Sequence, residues 1–386
     1  SMHKWHEENG AIFEDVGQWK RPYYYPKKGE DIHKAVYREC KSVRKSLGIL
    51  DASTLGKIDL QGPDTSKFLN MLYTNAWSKL EVGSCRYGLM CNEHGMIFDD
   101  GVTSRLGENH YHMTTTTGGA ARVMSWLEEF LQTEWLDMKV FCTSVTEQWA
   151  VLSISGPNAR NFLADLTDID LSKESFPFMK FREGKVCGVD ARVFRISFTG
   201  ELAFEINVPA RYGDYVWNEF MNHGKKYNIT PYGTEAMHVL RAEKGFIIVG
   251  QDTDGSVTPY DLNMDWIVSK KKEDFLGKRS FSRADTSRND RKKLVGLLVN
   301  DKTTVLPEGS HVVEKAKSQP PMKMLGHVSS SYYSPTNDHP IALAMLKDGT
   351  SRMGDEVEIP LMNGKIIKAT VTDPIFYDKE GLRNNE

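Results

Sequence analysis

The sequence predicts an α+β fold that ends in a small all-β domain. Three observations carry that expectation. Helical and strand-like segments alternate without the regular strand–helix–strand rhythm of a parallel sheet. A Gly-Pro turn followed by one apolar spacing occurs twice, in Gly62-Pro-Asp-Thr-Ser-Lys-Phe-Leu-Asn-Met-Leu and Gly156-Pro-Asn-Ala-Arg-Asn-Phe-Leu-Ala-Asp-Leu. A charged stretch at Lys270–Arg291, nearly free of large apolar residues after Leu276, precedes a run of short strands.

The elements follow in order. Trp19–Tyr25 is an aromatic cluster that reads either as a lid or as a buried anchor. Asp31–Leu47 carries a helical apolar period. Each Gly-Pro turn is expected to join a short strand to an amphipathic helix. Glycine allows the sharp turn and proline suits the first helical position. Phe68, Leu69 and Leu72 then share one helix face. The two copies read either as similar connections or as related halves of a duplicated core. Strands are expected at Arg86–Met90, Met96–Arg105, His110–Thr115, Trp149–Ile154, Asp190–Ser197 and Ala203–Val208. Further helices are expected at Gly119–Leu131, Tyr212–Tyr227 and Thr234–Gly245. A linker near residue 285 opens the all-β end, with strands at Lys293–Val299, Gly326–Ser331, Ile341–Leu346, Asp355–Ile359 and Ile366–Val371.

With 386 residues the chain is long enough for two or three domains. A formal net charge of −3 supplies no basic field for nucleic acid. The five cysteines are scattered, odd in number and form no Cys-x-x-Cys pair, so reduced thiols in a cytoplasmic setting are expected. No apolar run approaches the ~18 residues of a membrane span. Ser1-Met2 reads as a cloning remnant and leaves room for a longer parent protein. No Gly-x-Gly-x-x-Gly or Walker A loop is present, so neither a dinucleotide nor a P-loop site is expected. No His-x-x-x-His pair points to a metal.

Three constellations could carry chemistry. Asp99 and Asp100 lie in the strand-like run Gly95–Arg105. Strand alternation sends one toward solvent and the other, expected to be Asp100, inward. An inward carboxylate needs a partner, which makes it a candidate for binding a cation or moving a proton. The plainer alternative is a strand-end cap or a pair with Arg105. Glu205 points away from the face shared by Phe204 and Ile206, either into solvent or toward an amidine-like N–H edge such as that of a pterin. Thr114–Thr117 with Gly118 and Gly119 could offer free N–H groups at a helix start, or simply cap it.

Several ordered motifs across nearly the whole chain resemble the folate-dependent aminomethyltransferase family founded by the T-protein of the glycine cleavage system. They include Val43-Arg-Lys-Ser-Leu-Gly-Ile-Leu-Asp-Ala-Ser, Tyr87-Gly-Leu-Met-Cys-Asn-Glu-His-Gly-Met-Ile-Phe-Asp-Asp, Ser197-Phe-Thr-Gly-Glu, Phe275-Leu-Gly-Lys and Tyr333-Ser-Pro-Thr. Asp51-Ala-Ser-Thr-Leu-Gly-Lys, Thr114-Thr-Thr-Thr-Gly-Gly-Ala-Ala-Arg-Val and Ala242-Glu-Lys-Gly-Phe-Ile-Ile-Val-Gly-Gln-Asp resemble one branch, the C-terminal domain of the heterotetrameric sarcosine oxidase α subunit.

The resemblance implies a three-domain cloverleaf with a ferredoxin-like unit and a small C-terminal β-barrel. The implied domains are 1–57 with 148–245, 58–147 with 246–284, and 285–386. Tetrahydrofolate is the implied cofactor, with no flavin or NAD on this chain. Asp100 matches the catalytic aspartate and Glu205 the glutamate that holds the pterin edge. Tyr87, Leu55, Thr116, Val102 and Phe198 match positions around the folate. The implied activity is capture of the methyl-derived carbon of oxidised sarcosine, beside flavin-bearing oxidase domains or subunits. A stand-alone aminomethyltransferase or demethylase, or a non-catalytic folate-binding module, are the alternatives. Three positions depart from the family pattern: its Ser-His turn is Ser53-Thr54, its Gly-Tyr-Thr-Gly-Glu tyrosine is Phe198, and a T-protein arginine is Met237.

Overall fold

The computed structural model describes residues 1–317 and 319–385. Among the described residues seven α-helices run in chain order: α1 His3–Glu8, α2 Ile32–Lys45, α3 Thr65–Leu72, α4 Ala120–Thr133, α5 Ala159–Ala164, α6 Gly213–His223 and α7 Thr234–Glu243. The strands of the first 231 residues are β1 Ile12–Val16, β2 Trp19–Tyr24, β3 Gly48–Asp51, β4 Gly56–Gln61, β5 Cys85–Cys91, β6 Ile97–Gly107, β7 His110–Thr115, β8 Phe141–Ser144, β9 Trp149–Ser155, β10 Phe181–Val186, β11 Val189–Phe194, β12 Ala203–Pro209 and β13 Thr230–Pro231. The remainder are β14 Lys292–Val299, β15 His311–Val313, β16 Met324–Ser334, β17 His339–Lys347, β18 Glu356–Pro360 and β19 Ile366–Thr372.

The chain divides into two compact units, Ser1–Gly88 with Asp99–Met237 and Gly381–Glu386, and Leu89–Phe98 with His238–Glu380. The first holds a six-stranded sheet of order β10-β11-β12-β9-β3-β13 and the body of a five-stranded sheet of order β5-β6-β7-β4-β8. Its main core lies on the six-stranded sheet, where Leu152, Phe204 and Ile206 meet Phe162, Trp217 and Phe220 from α5 and α6. Alternation along β12 sends Phe204 and Ile206 into this core and leaves Glu205 and Asn207 for the opposite face. A smaller apolar cluster of Cys85, Phe181, Phe194 and Ile196, with Val102 packed on it, joins the facing surfaces of the two sheets.

The repeated Gly-Pro turns are alike in three dimensions. Gly62 has φ +138° and Gly156 φ +134°, each with a strand before it and a helix after it. A Cβ on Gly62 would lie 2.1 Å from the Lys139 carbonyl oxygen, and one on Gly156 2.4 Å from that of Ser46. Proline does not open the helix, contrary to expectation. Asp64 and Asn158 are the N-caps, so Pro63 and Pro157 stand one residue earlier.

Two buried arginines tie distant segments into the first unit. Arg44 reaches the Thr199 carbonyl at 2.7 Å and Glu201 at 3.1 Å. Arg195 donates to the Ala203 carbonyl and to Asn384 Oδ1, both at 3.2 Å, and also to the Asn384 carbonyl. The aromatic cluster near the start is an anchor: buried Tyr25 gives its hydroxyl to His6 at 2.9 Å and its N–H to Glu39 at 2.7 Å.

The second unit is built on a closed barrel of order β14-β17-β16-β15-β18-β19, the all-β end that the sequence predicts. The three-residue β15 is the strand the pattern misses, being too short to show alternation. Within this unit Arg241 pairs with Asp252 at 2.6 Å, both fully buried, and Ser329 and Ser330 donate to the other Asp252 oxygen. Glu243 accepts from Ser334 and Thr336. Among the described residues no helix is long and apolar enough to cross a membrane, and all five cysteines are free.

Candidate active site

Where the two sheets of the first unit face each other they leave a narrow, nearly closed cleft of about 10 Å³. One wall is the row Leu55, Lys57 on β4, Thr114 on β7 and Val102 on β6. A second row one rung along pairs Asp59, His112 and Ser104 across the same strands. The opposite wall presents Phe194 on β11 and Glu205 and Asn207 on β12. Strand periodicity therefore brings residues from 55 to 207 to the two walls of one cleft.

Asp100 lies two residues before Val102, on the same strand face. Tyr87 donates its hydroxyl to Asp100 Oδ2 at 2.7 Å. Burial pushes the Asp100 carboxyl up to about 7; the Tyr87 hydrogen bond pulls it down and neighbouring Asp99 pushes it up. The Tyr87 phenol is itself held well above its ordinary value, first by burial and then by Asp100, so it stays a donor. Arg105 is no partner: its guanidinium bonds the Leu80 and Glu108 carbonyls.

Asp99 does not face solvent, contrary to expectation. It is fully buried, because the reverse face of this strand is covered by the start of α4. Its carboxylate accepts from Asp100 N at 2.8 Å, Thr116 N at 3.0 Å and the Thr116 hydroxyl at 2.9 Å, with Arg122 at 3.8 Å. A Cβ on Gly119 would meet Asp99 Oδ2 at 1.9 Å, so the chain there must be glycine. The anion that settles at this threonine-glycine turn is thus the protein's own Asp99. Thr116 fixes Asp99, and through it the backbone of Asp100.

Glu205 faces the cleft and not open solvent. Burial pushes its carboxyl up to about 7, against the pull of Lys57. Among the described residues its carboxylate accepts no hydrogen bond. Lys57 is 1% exposed, and burial lowers its ammonium to about 8 while Asp51 and then Glu205 act to raise it. Two of its three N–H groups go to the Ser53 and Leu55 carbonyls, at 2.7 and 2.8 Å. Asn207 Oδ1 and His112 Nε2 are buried and without a hydrogen-bond partner among the described residues.

Leu55 and Val102 line the cleft with Glu205; Phe198 sits on the loop between β11 and β12, 36% exposed and outside that lining. Lys57, His112 and Asn207 escape the sequence reading. His110 and His112 alternate on one strand face, which a search at a spacing of two would have detected. Lys57 and Asn207 carry no local signal, since their neighbours lie far away in sequence.

The GCVT N-terminal domain model matches residues 2–272, and the glycine cleavage T-protein C-terminal barrel domain model matches residues 292–378. The chain is similar to the sarcosine oxidase subunit alpha of Corynebacterium sp. (strain U-96), 54% identical over 389 residues, covering all of this chain and 40% of that one. It is similar to the subunit of the same name from Rhizobium meliloti, 41% identical over 99% of this chain and 39% of that one. It is also similar to the aminomethyltransferase of Thermotoga petrophila, 30% identical over 95% of this chain and 94% of that one. The crystal structure of glycine cleavage system aminomethyltransferase T from Bartonella henselae superposes with a TM-score of 0.84 at 25% identity, covering 98% and 97% of the two chains. The chain spans about 40% of the length of the sarcosine oxidase subunits it matches.

Proposed function

The chain belongs to the glycine cleavage T-protein family, and from that premise we propose that it is a tetrahydrofolate-dependent one-carbon transfer domain within a sarcosine-oxidase-type assembly. The observation that carries this reading is the unbonded Glu205 carboxylate facing the cleft. Beside it stand two further unpaired groups, Asn207 Oδ1 and His112 Nε2, and a Lys57 ammonium with an N–H to spare. Buried polar groups are normally paired, so these call for a ligand with several N–H donors and an acceptor. The amino-oxo pyrimidine edge of a reduced pterin has that composition, so the residues fit the group.

Glu205 would hold that edge, and Leu55 and Val102 would pack against the ring. When bound, tetrahydrofolate would supply a nucleophilic nitrogen for the one-carbon unit, with 5,10-methylenetetrahydrofolate as the product of this reading. Asp100, held near the midpoint of its titration at neutral pH, accepts a proton at Oδ2 and stabilises nearby positive charge. Tyr87 orients that oxygen. The prior oxidation of the methylated amine belongs, on this reading, to flavin-bearing domains or subunits outside this chain, in the cytoplasm. A stand-alone aminomethyltransferase is the second reading, favoured by the end-to-end match to the Thermotoga relative.

Calorimetric titration with tetrahydrofolate tests the proposal. Glu205→Ala is expected to weaken binding by about tenfold or more, as loss of a charged hydrogen bond does. Asp100→Asn is expected to keep binding and lose transfer in the assembled complex. Unchanged affinity in Glu205→Ala would remove the pterin assignment.

A further inference from the structure

We propose that His112 is a positioning residue of this cleft: with its Nδ1–H held by Asp59, its Nε2 presents a fixed lone pair to an N–H of the bound ring system. The inference rests on the folate reading and adds to it a contact that the sequence motifs do not contain.

The geometry is built from one strand rung. Asp59 on β4 and His112 on β7 are direct cross-strand partners, and His112 Nδ1 lies 2.6 Å from Asp59 Oδ1. The second Asp59 oxygen takes His110 Nε2 at 3.0 Å, with Arg192 at 3.9 Å. Burial opposes charge on Asp59, yet the bonds from His110 and His112 outweigh it and hold the carboxyl below its ordinary range. An ionised carboxylate can only accept, so His112 must donate from Nδ1. Burial keeps the His112 imidazole below its ordinary value, against the pull of Asp59, so the ring is neutral and Nε2 is left as the acceptor.

That Nε2 is buried, has no hydrogen-bond partner among the described residues, and lies in the cleft lining with Glu205. His112 as a whole is 2% exposed. The ring cannot readily swing away, because Phe194 stacks on it with centroids 5.9 Å apart and planes 23° from parallel. A fixed, dry acceptor suits a heteroaromatic ligand that brings its own N–H, and discriminates against one presenting an acceptor there.

Two variants separate the two ends of the imidazole. Asn at 112 can reproduce the bond to Asp59 but has nothing at the Nε2 position. Gln at 112 places an amide oxygen near that position. Calorimetric titration with tetrahydrofolate is expected to show about a tenfold loss of affinity in His112→Asn and substantial recovery in His112→Gln. Nitrogen-15 NMR of the ligand-free wild type is expected to show His112 protonated at Nδ1 and bare at Nε2, and the bare nitrogen is expected to shift when tetrahydrofolate is added. If wild type binds, Glu205→Ala weakens binding and both His112 variants bind as wild type, this inference falls and the folate reading stands. If wild type does not bind, both fall. A proton found on Nε2 in the free protein would overturn the inference alone, whatever the variants do.

Discussion

At the scale of single residues, the site is governed by desolvation opposed by one or two hydrogen bonds. Asp100 is the simplest case, since among the described residues Tyr87 is the one side chain that bonds its carboxylate and lowers it. Tyr87→Phe is therefore expected to raise the Asp100 carboxyl further and move the acid limb of the pH–rate profile to higher pH. Activity near pH 7 should drop several-fold and recover under alkaline conditions; a limb that stays in place would remove Asp100 as the titrating group. Glu205 carries the complementary stability signature. Its folded-state value, about 7, stands above the ordinary 4.5, so its contribution is fully present below about 4.5 and is lost as pH rises through 7. Glu205→Gln should then stabilise the protein at pH 8, by on the order of 2 kcal/mol, and leave it unchanged at pH 4. Equal melting temperatures of the two proteins at pH 8 would contradict a half-buried, unbonded carboxylate. Glu205 was legible as a candidate because it is a charged residue in an otherwise apolar alternation, and Asp100 because it is one of two adjacent carboxylates in a strand-like run. Lys57, Asn207 and the Asp59–His112 bond were not, because the long-range pairing of strands creates them.

At the scale of elements, the long amphipathic helices were legible to within a few residues: α2 and α4 follow their apolar periods closely. β11 was read too long, since it ends at Phe194 and releases the loop that carries Phe198. The short β8 and the polar middle of β10 left too weak a pattern to read. The doubled Gly-Pro turn was legible as a motif, while its geometry needed the fold. Each glycine occupies a conformation that an L-residue resists, and each would-be Cβ points at a backbone oxygen that cannot yield. Gly62→Ala and Gly156→Ala are each expected to cost about 2–3 kcal/mol in urea denaturation, with the slope of the transition unchanged. Losses under ~0.5 kcal/mol would show that the turns relax freely.

At the scale of the whole molecule, the all-β end was readable from a charged stretch followed by short strand patterns, whereas the partition of the remainder follows from contacts that the sequence does not display. The first unit is assembled from three separate stretches, the last of them contributing Asn384 to the sealed Arg195. A ribosome releases the chain in sequence order, so until residue 384 has emerged the Arg195 guanidinium lacks those two acceptors. A buried cation short of partners is expensive. The nascent first unit should accordingly stay open to proteases until its final few residues emerge, and removal of residues 381–386 should leave the finished protein with that juvenile susceptibility. Pulse proteolysis of the shortened chain is expected to reveal faster cleavage; resistance equal to that of the intact chain would mean the unit closes without waiting for its tail.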